Sequence, residues 1–354
     1  MSKFLTPKYE KLKPYTPGEQ PQDKKYVKLN TNESPYPPSL LAKLMARKEM
    51  RKSRLYPDPD VNNLTDALAK AYGVDKSSVI AGNGSDEILN FAFMAWCDEN
   101  SPAVFADITY GFYKVFADLN SVPVKEIPLR DDFSIDIDEY IATRGTVFIA
   151  NPNAPTGIAL PVSEIERLLL SDPSRVVIVD EAYVDFGAES CVPLTKKYDN
   201  LLVCCTFSKS RSMAGARLGF GIGNPDLISD LVRIKYSTNP YNVNRISAAM
   251  GVGALTDDGY FRFNCKRIAN TREYTVSELR ALGFEMTSSL ANFIFVKSER
   301  VGGEELYLKL KEKGVLIRHF NNPRISDYNR ITIGSMEEMQ TLVCKIKEIL
   351  EEKQ

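Results

Sequence analysis

The sequence predicts an α/β protein: a mostly parallel sheet covered by helices on both faces, followed by a smaller α+β domain. Three observations carry this. The apolar runs 103–106, 146–150, 176–179, 201–205 and 218–222 lack the alternation of a half-exposed strand, as strands buried on both faces do. Segments with apolar residues at helical spacing separate several of these runs. Beyond Gly283 the chain changes to short strands and helices joined by short loops, with Phe293–Val296, Val315–Arg318 and Ile331–Ile333 as strands and 304–313 and 336–350 as helices.

At 354 residues the chain is long enough for about two domains. Hydrophobic residues make up 44% and charged residues 26%, and the net charge is -1. That balance lacks the basic footprint of a nucleic-acid-binding protein. No run approaches the ~20 apolar residues of a membrane span, and the N-terminal residues show no apolar secretory segment. Six cysteines without a C-x-x-C pair read as free thiols in a reducing, cytoplasmic compartment. The single histidine, His319, excludes His-rich metal sites and turns attention to Lys, Tyr, Asp, Glu and Arg.

Residues 1–38 are rich in Pro and Tyr and oppose helix, which suggests an ordered arm laid over a cleft or a partner subunit. Tyr56-Pro57-Asp58-Pro59 is a rigid turn, and Leu64, Ala67, Leu68, Ala71 and Tyr72 follow at helical spacing with Gly73 as the stop. A-G-N-G-S-D-E (81–87) leads two glycines into an apolar helix running to Cys97, with Ser85 or Asp86 available as its cap. Such a start can present free N–H groups to an anion. The strands 103–106 and 122–127 come next, and then 146–150, which ends in N-P-N-A-P-T-G. Ser163 and Glu166 form a capping-box pattern. Asn224-Pro225 opens a helix to Tyr236, and a long helical region after P-Y-N-V-N (240–244) runs to Leu282. Ser335 and Glu338 form a second capping box.

Chemistry concentrates at strand ends, where ligands of such sheets bind. V-V-I-V-D-E-A-Y (176–183) ends an apolar run in Asp180, with Tyr183 three residues on; C-C-T-F-S-K ends another in Ser208 and Lys209, with Arg217 eight residues beyond. A lysine to bond an aldehyde, a carboxylate to hold a pyridine nitrogen protonated, a phenol for the ring oxygen and an arginine for a phosphate are what pyridoxal phosphate requires.

The motifs N-P-N-A-P-T-G, V-V-I-V-D-E-A-Y, T-F-S-K-S-R-S-M-A-G-A-R-L-G, P-Y-N-V-N and R-I-T-I-G-S-M-E-E, with L-K-P-Y, L-N-T-N-E-S-P-Y, Y-P-D-P, G-N-G-S-D-E and S-S-L-A-N-F, resemble those of the histidinol-phosphate aminotransferases. They run in order from about residue 12 to 340. The resemblance implies the fold-type-I pyridoxal phosphate transferase architecture, with a seven-stranded sheet in a large domain at 29–261, a small α+β domain at 262–354 and an arm at 1–28 packing with the small domain. By position it makes Lys209 the Schiff-base lysine, Asp180 the partner of the pyridine nitrogen and Tyr183 the partner of the ring oxygen. Tyr110 would stack on the ring, and Gly84, Ser85, Asp86, Ser208 and Arg217 would hold the phosphate. Tyr56 would reach that phosphate from the other subunit of a homodimer. Arg330 matches the arginine that takes a substrate carboxylate; Arg318 and Tyr15 match residues that bind a distal phosphate.

Two departures stand out. Ala154 occupies the position where the family has an asparagine bonded to the ring oxygen, so that bond is missing or comes from Asn153 or Asn151. Ser210 and Arg211 replace small and aromatic residues after the lysine, which adds a charge near the cleft. The expected activity is transfer of an amino group between glutamate and an imidazole-acetol phosphate. The competing readings are a threonine-phosphate decarboxylase, an aromatic amino acid transaminase and a non-catalytic binding protein, the last opposed by the intact Lys209 and Asp180. A nicotinamide dehydrogenase is opposed by the lack of G-x-G-x-x-G.

Overall fold

The computed structural model describes residues 2–10 and 12–352. The N-terminal arm ends in β1 (Val27–Lys28). β2 (Val79–Gly82), β3 (Ala103–Ala106), β4 (Val124–Ile127), β5 (Thr146–Ala150), β6 (Val177–Asp180), β7 (Leu201–Thr206) and β8 (Gly219–Gly223) form one seven-stranded sheet in the order β2-β8-β7-β6-β5-β3-β4. Its pairs are parallel except for those of β8, which runs antiparallel to both β2 and β7.

The unbroken apolar runs now have their reason. Alternate residues of each strand enter different cores: Val177 and Val179 pack with Leu64, Leu68, Ile165 and Leu168 on one face. Ile178 packs with Ile88, Phe93, Phe116 and Leu231 on the other. Helices Asn62–Tyr72 and Val162–Ser171 cover the first face; helices Ser85–Trp96, Phe112–Asn120 and Pro225–Thr238 cover the second.

The C-terminal part builds a second sheet. β9 (Phe284–Met286) and β10 (Phe293–Ser298) pair antiparallel, β11 (Val315–Leu316) lies apart from them, and β12 (Arg318–His319) and β13 (Asn329–Thr332) complete the order β12-β13-β10-β9. Helices Asp258–Ala281 and Met336–Glu351 close over it through Ile268, Leu279, Leu342 and Ile346. β1 pairs parallel with β11, and Leu29 joins this second core, so the arm is stitched to the C-terminal sheet.

Several sequence expectations are corrected. The strand expected over Val315–Arg318 is split between two sheets. The long helical region is two helices, Arg245–Thr256 and Asp258–Ala281, broken at Asp257 among polar turn formers. The Ser163–Glu166 capping box does not form: Pro161 is the cap residue, and Glu166 instead accepts from the Tyr198 hydroxyl at 2.8 Å. The Ser335–Glu338 box is present in full. β2, with its four residues all buried, and helix Leu40–Met50 went unread in the sequence.

Candidate active site

The C-terminal ends of β6 and β7 face the first turn of helix Ser85–Trp96 across a cavity of about 400 Å³. Ser85, Asp86, Tyr110, Asp180, Tyr183, Ser208, Lys209 and Arg217 all line it, although they come from well-separated parts of the chain. An adjoining cavity of about 330 Å³ is lined by Tyr15, Arg318 and Arg330 and shares Thr31, Tyr110, Ala154, Tyr183 and Lys209 with the first. The two are halves of one cleft.

Asp180 ends β6 and is almost fully buried. Its Oδ2 accepts from the Tyr113 hydroxyl at 3.0 Å and its Oδ1 from the Ala182 N–H at 3.2 Å. Burial outweighs these bonds and pushes its carboxyl up to about 7. A cation against this carboxylate would draw the value back down. Lys209 Nζ donates to the Thr31 carbonyl at 3.1 Å and stands 5.8 Å from the centre of the Tyr183 ring. Burial, and then the neighbouring Arg330, pull its amine down to about 8. A buried acid and a partly buried amine that titrate near neutrality are suited to moving protons at working pH.

The glycine-led helix start is uncapped. Gly84 is the cap residue at φ 84, and among the described residues no side-chain cap bond forms there. The expected Ser85 or Asp86 cap is therefore absent. Asp86 is engaged elsewhere: it accepts from Arg217 Nη2 at 2.8 Å and from the Tyr110 hydroxyl at 2.7 Å. Arg217, in the left-handed region at φ 49, reaches over the loop, and a Cβ on Gly84 would stand 2.7 Å from its Nη2. A Cβ on Gly219 would stand 2.2 Å from the Ser85 nitrogen, so that glycine lets β8 lie against the helix start. Free N–H groups, the Ser208 hydroxyl and a guanidinium around one space make a cradle for a dianion. In the other half of the cleft Arg330 donates from Nη2 to the Asn30 carbonyl at 3.1 Å, while its buried Nε has no partner among the described residues. Arg318 donates to the Thr16 and Pro17 carbonyls at 3.3 and 3.4 Å, and Tyr15 stacks on Phe112 at 4.3 Å.

Four residues expected at the cleft lie elsewhere. Asn153 spends its amide on the Ile108 carbonyl, the Thr156 hydroxyl and the Thr109 hydroxyl, at 3.0, 3.2 and 2.7 Å. Asn151 bonds Leu160 through both ends of its amide. Neither lines the cleft, whose wall there is the Ala154 methyl. Arg211 turns away from the cleft, donating to the Ala254 carbonyl at 2.9 Å and stacking over Phe261 at 4.0 Å. Tyr56 is 77% exposed and stacks on Tyr241, outside the cleft of its own chain. Tyr113 and Asn32 were missed: Tyr113 bonds Asp180, and Asn32 bonds Tyr183 at 2.9 Å. Their only signals were a second tyrosine three residues after Tyr110 and the polar N-T-N-E run.

Residues 24–346 match the family described as aminotransferase class I and II. The chain is 49% identical over 99% of its length to histidinol-phosphate aminotransferase of Brachyspira hyodysenteriae, covering 99% of that protein. It is 51% identical over 98% of its length to the enzyme of that name from a Marinomonas species, again covering 99%. The fold is similar to the crystal structure of histidinol-phosphate aminotransferase from Sinorhizobium meliloti in complex with pyridoxal-5'-phosphate, with a TM-score of 0.91, 22% identity and 99% of each chain covered. Among the described residues no helix is long and apolar enough to cross a membrane.

Proposed function

The chain belongs to the aminotransferase class I and II family, and we propose that it moves the amino group between glutamate and an imidazole-acetol phosphate, the histidinol-phosphate reaction of histidine biosynthesis. The observation that carries this reading is the joined cleft. One half brings Lys209, Asp180 and an uncapped helix start together, and the other adds two arginines and Tyr15.

Pyridoxal 5'-phosphate is the cofactor, and when bound it withdraws electrons from the amine-bearing carbon of the substrate. The residues present fit it. Lys209 would hold it covalently, Asp180 would meet the ring nitrogen, the Tyr183 hydroxyl the ring oxygen, and Tyr110 would cover a ring face. The N–H groups at Ser85 and Asp86, with Ser208 and Arg217, would take its phosphate beside the Gly84 turn, whose own N–H donates to the Gly82 carbonyl at 2.9 Å; Arg217 has only to loosen its exposed pair with Asp86. The free amine of Lys209 would serve as the general base toward the proton on the substrate's amine-bearing carbon. Its value of about 8 keeps a useful neutral fraction near neutral pH. Arg330, with its unpartnered Nε, receives the glutamate α-carboxylate in a planar fork. Arg318 and Tyr15 receive the phosphate ester. The N-terminal arm, with Leu29–Asn32 carried on the C-terminal sheet, and the small C-terminal domain form one side of the cleft, and the large domain forms the other. The enzyme is a cytoplasmic homodimer: a second copy covers the exposed Leu40, Leu44, Tyr56, Tyr241 and Phe263, and Tyr56 reaches the neighbour's cofactor phosphate.

The test is a substrate comparison. The purified protein loaded with pyridoxal phosphate is expected to absorb in the visible and to convert histidinol phosphate with 2-oxoglutarate. Arg318→Ala should raise KM for histidinol phosphate by roughly 10- to 100-fold, since a charge-assisted contact is worth about 1.5–3 kcal/mol. It should barely alter phenylalanine turnover. Equal losses on both donors would favour an aromatic transaminase, and carbon dioxide release from threonine phosphate a decarboxylase.

A further inference from the structure

We propose that Asn32 is a positioning residue that aims the Tyr183 hydroxyl proton into the cleft, toward the cofactor's ring oxygen, and ties that aim to the seating of the C-terminal sheet. The proposal rests on the cofactor reading above. It starts from the asparagine missing at Ala154, whose methyl shares the cleft wall with Tyr183. With Asn151 and Asn153 engaged elsewhere, neither supplies the missing amide to the ring oxygen. Tyr183 is therefore the hydroxyl on which that contact depends.

The direction of its proton follows from a chain of bonds. The Asn32 backbone N–H donates to Thr332 Oγ1 at 2.9 Å. Thr332 has a single hydroxyl proton, which it donates to Asn32 Oδ1 at 3.1 Å. The amide end facing Thr332 is thus the oxygen, and Nδ2 faces Tyr183, donating to its hydroxyl oxygen at 2.9 Å. An amide NH₂ accepts nothing, so the Tyr183 proton must point away from Asn32. The hydroxyl that receives a bond is also a stronger donor. Phe293 holds the Tyr183 ring edge-on at 5.0 Å and so limits other responses.

Asn32 is built for this place. It is 1% exposed and sits at φ 56, a left-handed conformation that asparagine tolerates better than most residues. Its carbonyl accepts from Asn292 Nδ2 at 3.0 Å, and the Leu29 carbonyl accepts from the Thr332 N–H at 2.9 Å. Asn32 thus rides on the C-terminal sheet while its amide touches a residue of the cleft floor. Arg330, the proposed carboxylate site, lies two residues before Thr332 on β13 and on the same face of that strand. A substrate seated on Arg330 would bear on the same strand that orients Asn32.

The test is the pH titration of the visible absorbance of the holoenzyme. The charged groups facing the Tyr183 hydroxyl, Arg330 from β13, Asp180 from β6, Asp86 from the helix start and Lys209, stay in place in every variant, and Asn32→Asp adds one carboxylate beside them. Asn32→Asp keeps the size and the bond from Thr332 but turns a donor into an acceptor, which draws the Tyr183 proton away from the ring oxygen. Its titration midpoint should rise by about half a pH unit or more, as a lost hydrogen bond to a charged oxygen would produce. The rise should approach that of Tyr183→Phe. Thr332→Val, which frees the amide to flip, should shift the midpoint the same way by less. In a Tyr183→Phe background Asn32→Asp should add only the smaller through-space effect of its new charge. A midpoint unchanged in both Asn32→Asp and Thr332→Val overturns the proposal, as does an equal shift with and without Tyr183. A wild-type protein that stays colourless with added pyridoxal phosphate overturns the cofactor reading itself, and this inference with it.

Discussion

Lys209 shows how a partly buried residue can be tuned at the expense of the fold. Its amine is held at about 8 in the folded protein, against about 10.4 in an unfolded chain. Between those values the folded state binds fewer protons than the unfolded state, so stability rises with pH across that window. Below about pH 8 both states carry the charge, and the full cost of burying it is present. Lys209→Met, close in length and uncharged, should therefore raise the Tm of the cofactor-free protein more at about pH 7 than at about pH 10.5. A thermal scan at both pH values checks this, and equal increments would mean that the amine is not desolvated. Around Asp180 the sequence showed the carboxylate at a strand end but not Tyr113, which decides its bonding.

At the level of elements, the contact between β8 and the start of helix Ser85–Trp96 governs the anion cradle. G-F-G-I-G looks like a poor strand, since each glycine gives up packing and conformational economy. Gly219 has a specific reason to be there: a Cβ would press on Ser85 N and the Gly84 carbonyl carbon at 2.2 and 2.4 Å, and both are backbone atoms that cannot rotate aside. Gly219→Ala should push the helix start away from Ser208 and Arg217. Cofactor binding is expected to weaken about 10- to 100-fold, in line with the ~1–3 kcal/mol of an overpacked contact. Fluorescence titration of the cofactor-free variant measures this, and an unchanged Kd would show that the cradle tolerates the shift. The helix itself was legible from its apolar spacing. Its lack of a cap was not, because Ser85 and Asp86 are both good capping residues and only Arg217 and Tyr110 take Asp86 out of contention.

At the scale of the whole molecule, the exposed Tyr56–Tyr241 stack lies outside the cleft of its own chain, where the proposed reading has it meet a second copy. The turn carrying it is held firmly. Arg245 donates to the Tyr56 carbonyl at 2.7 Å, and the Tyr236 hydroxyl donates to Asp60 at 2.7 Å. A rigid, exposed aromatic beside apolar Leu55 suits a symmetric partner surface. Mixing Lys209→Ala with Tyr56→Ala subunits should restore activity that neither parent has. Each hybrid would hold one doubly damaged site and one intact site, so about a quarter of all sites should recover after random exchange. No recovery after verified exchange would place Tyr56 outside the neighbour's site.

The strands of the large sheet were readable because burial on both faces writes itself locally, as continuous apolar runs that end in Asp180 and just short of Lys209. The Ser335–Glu338 box was readable because both of its bonds close within one turn. The division of Val315–Arg318 between two sheets depended on β1, whose residues lie almost 300 positions earlier and carry no mark of their partner. The same holds within the site. Chain order assigned a lysine, an aspartate and a tyrosine to strand ends, since side-chain type and local pattern suffice for that. Which polar group completes each of them was decided only by folding: Asn32 meets Tyr183 across 151 positions, and Tyr113 meets Asp180 across 67. A hydrogen bond between distant side chains depends on distance and direction in space, and neither leaves a periodic trace in the sequence.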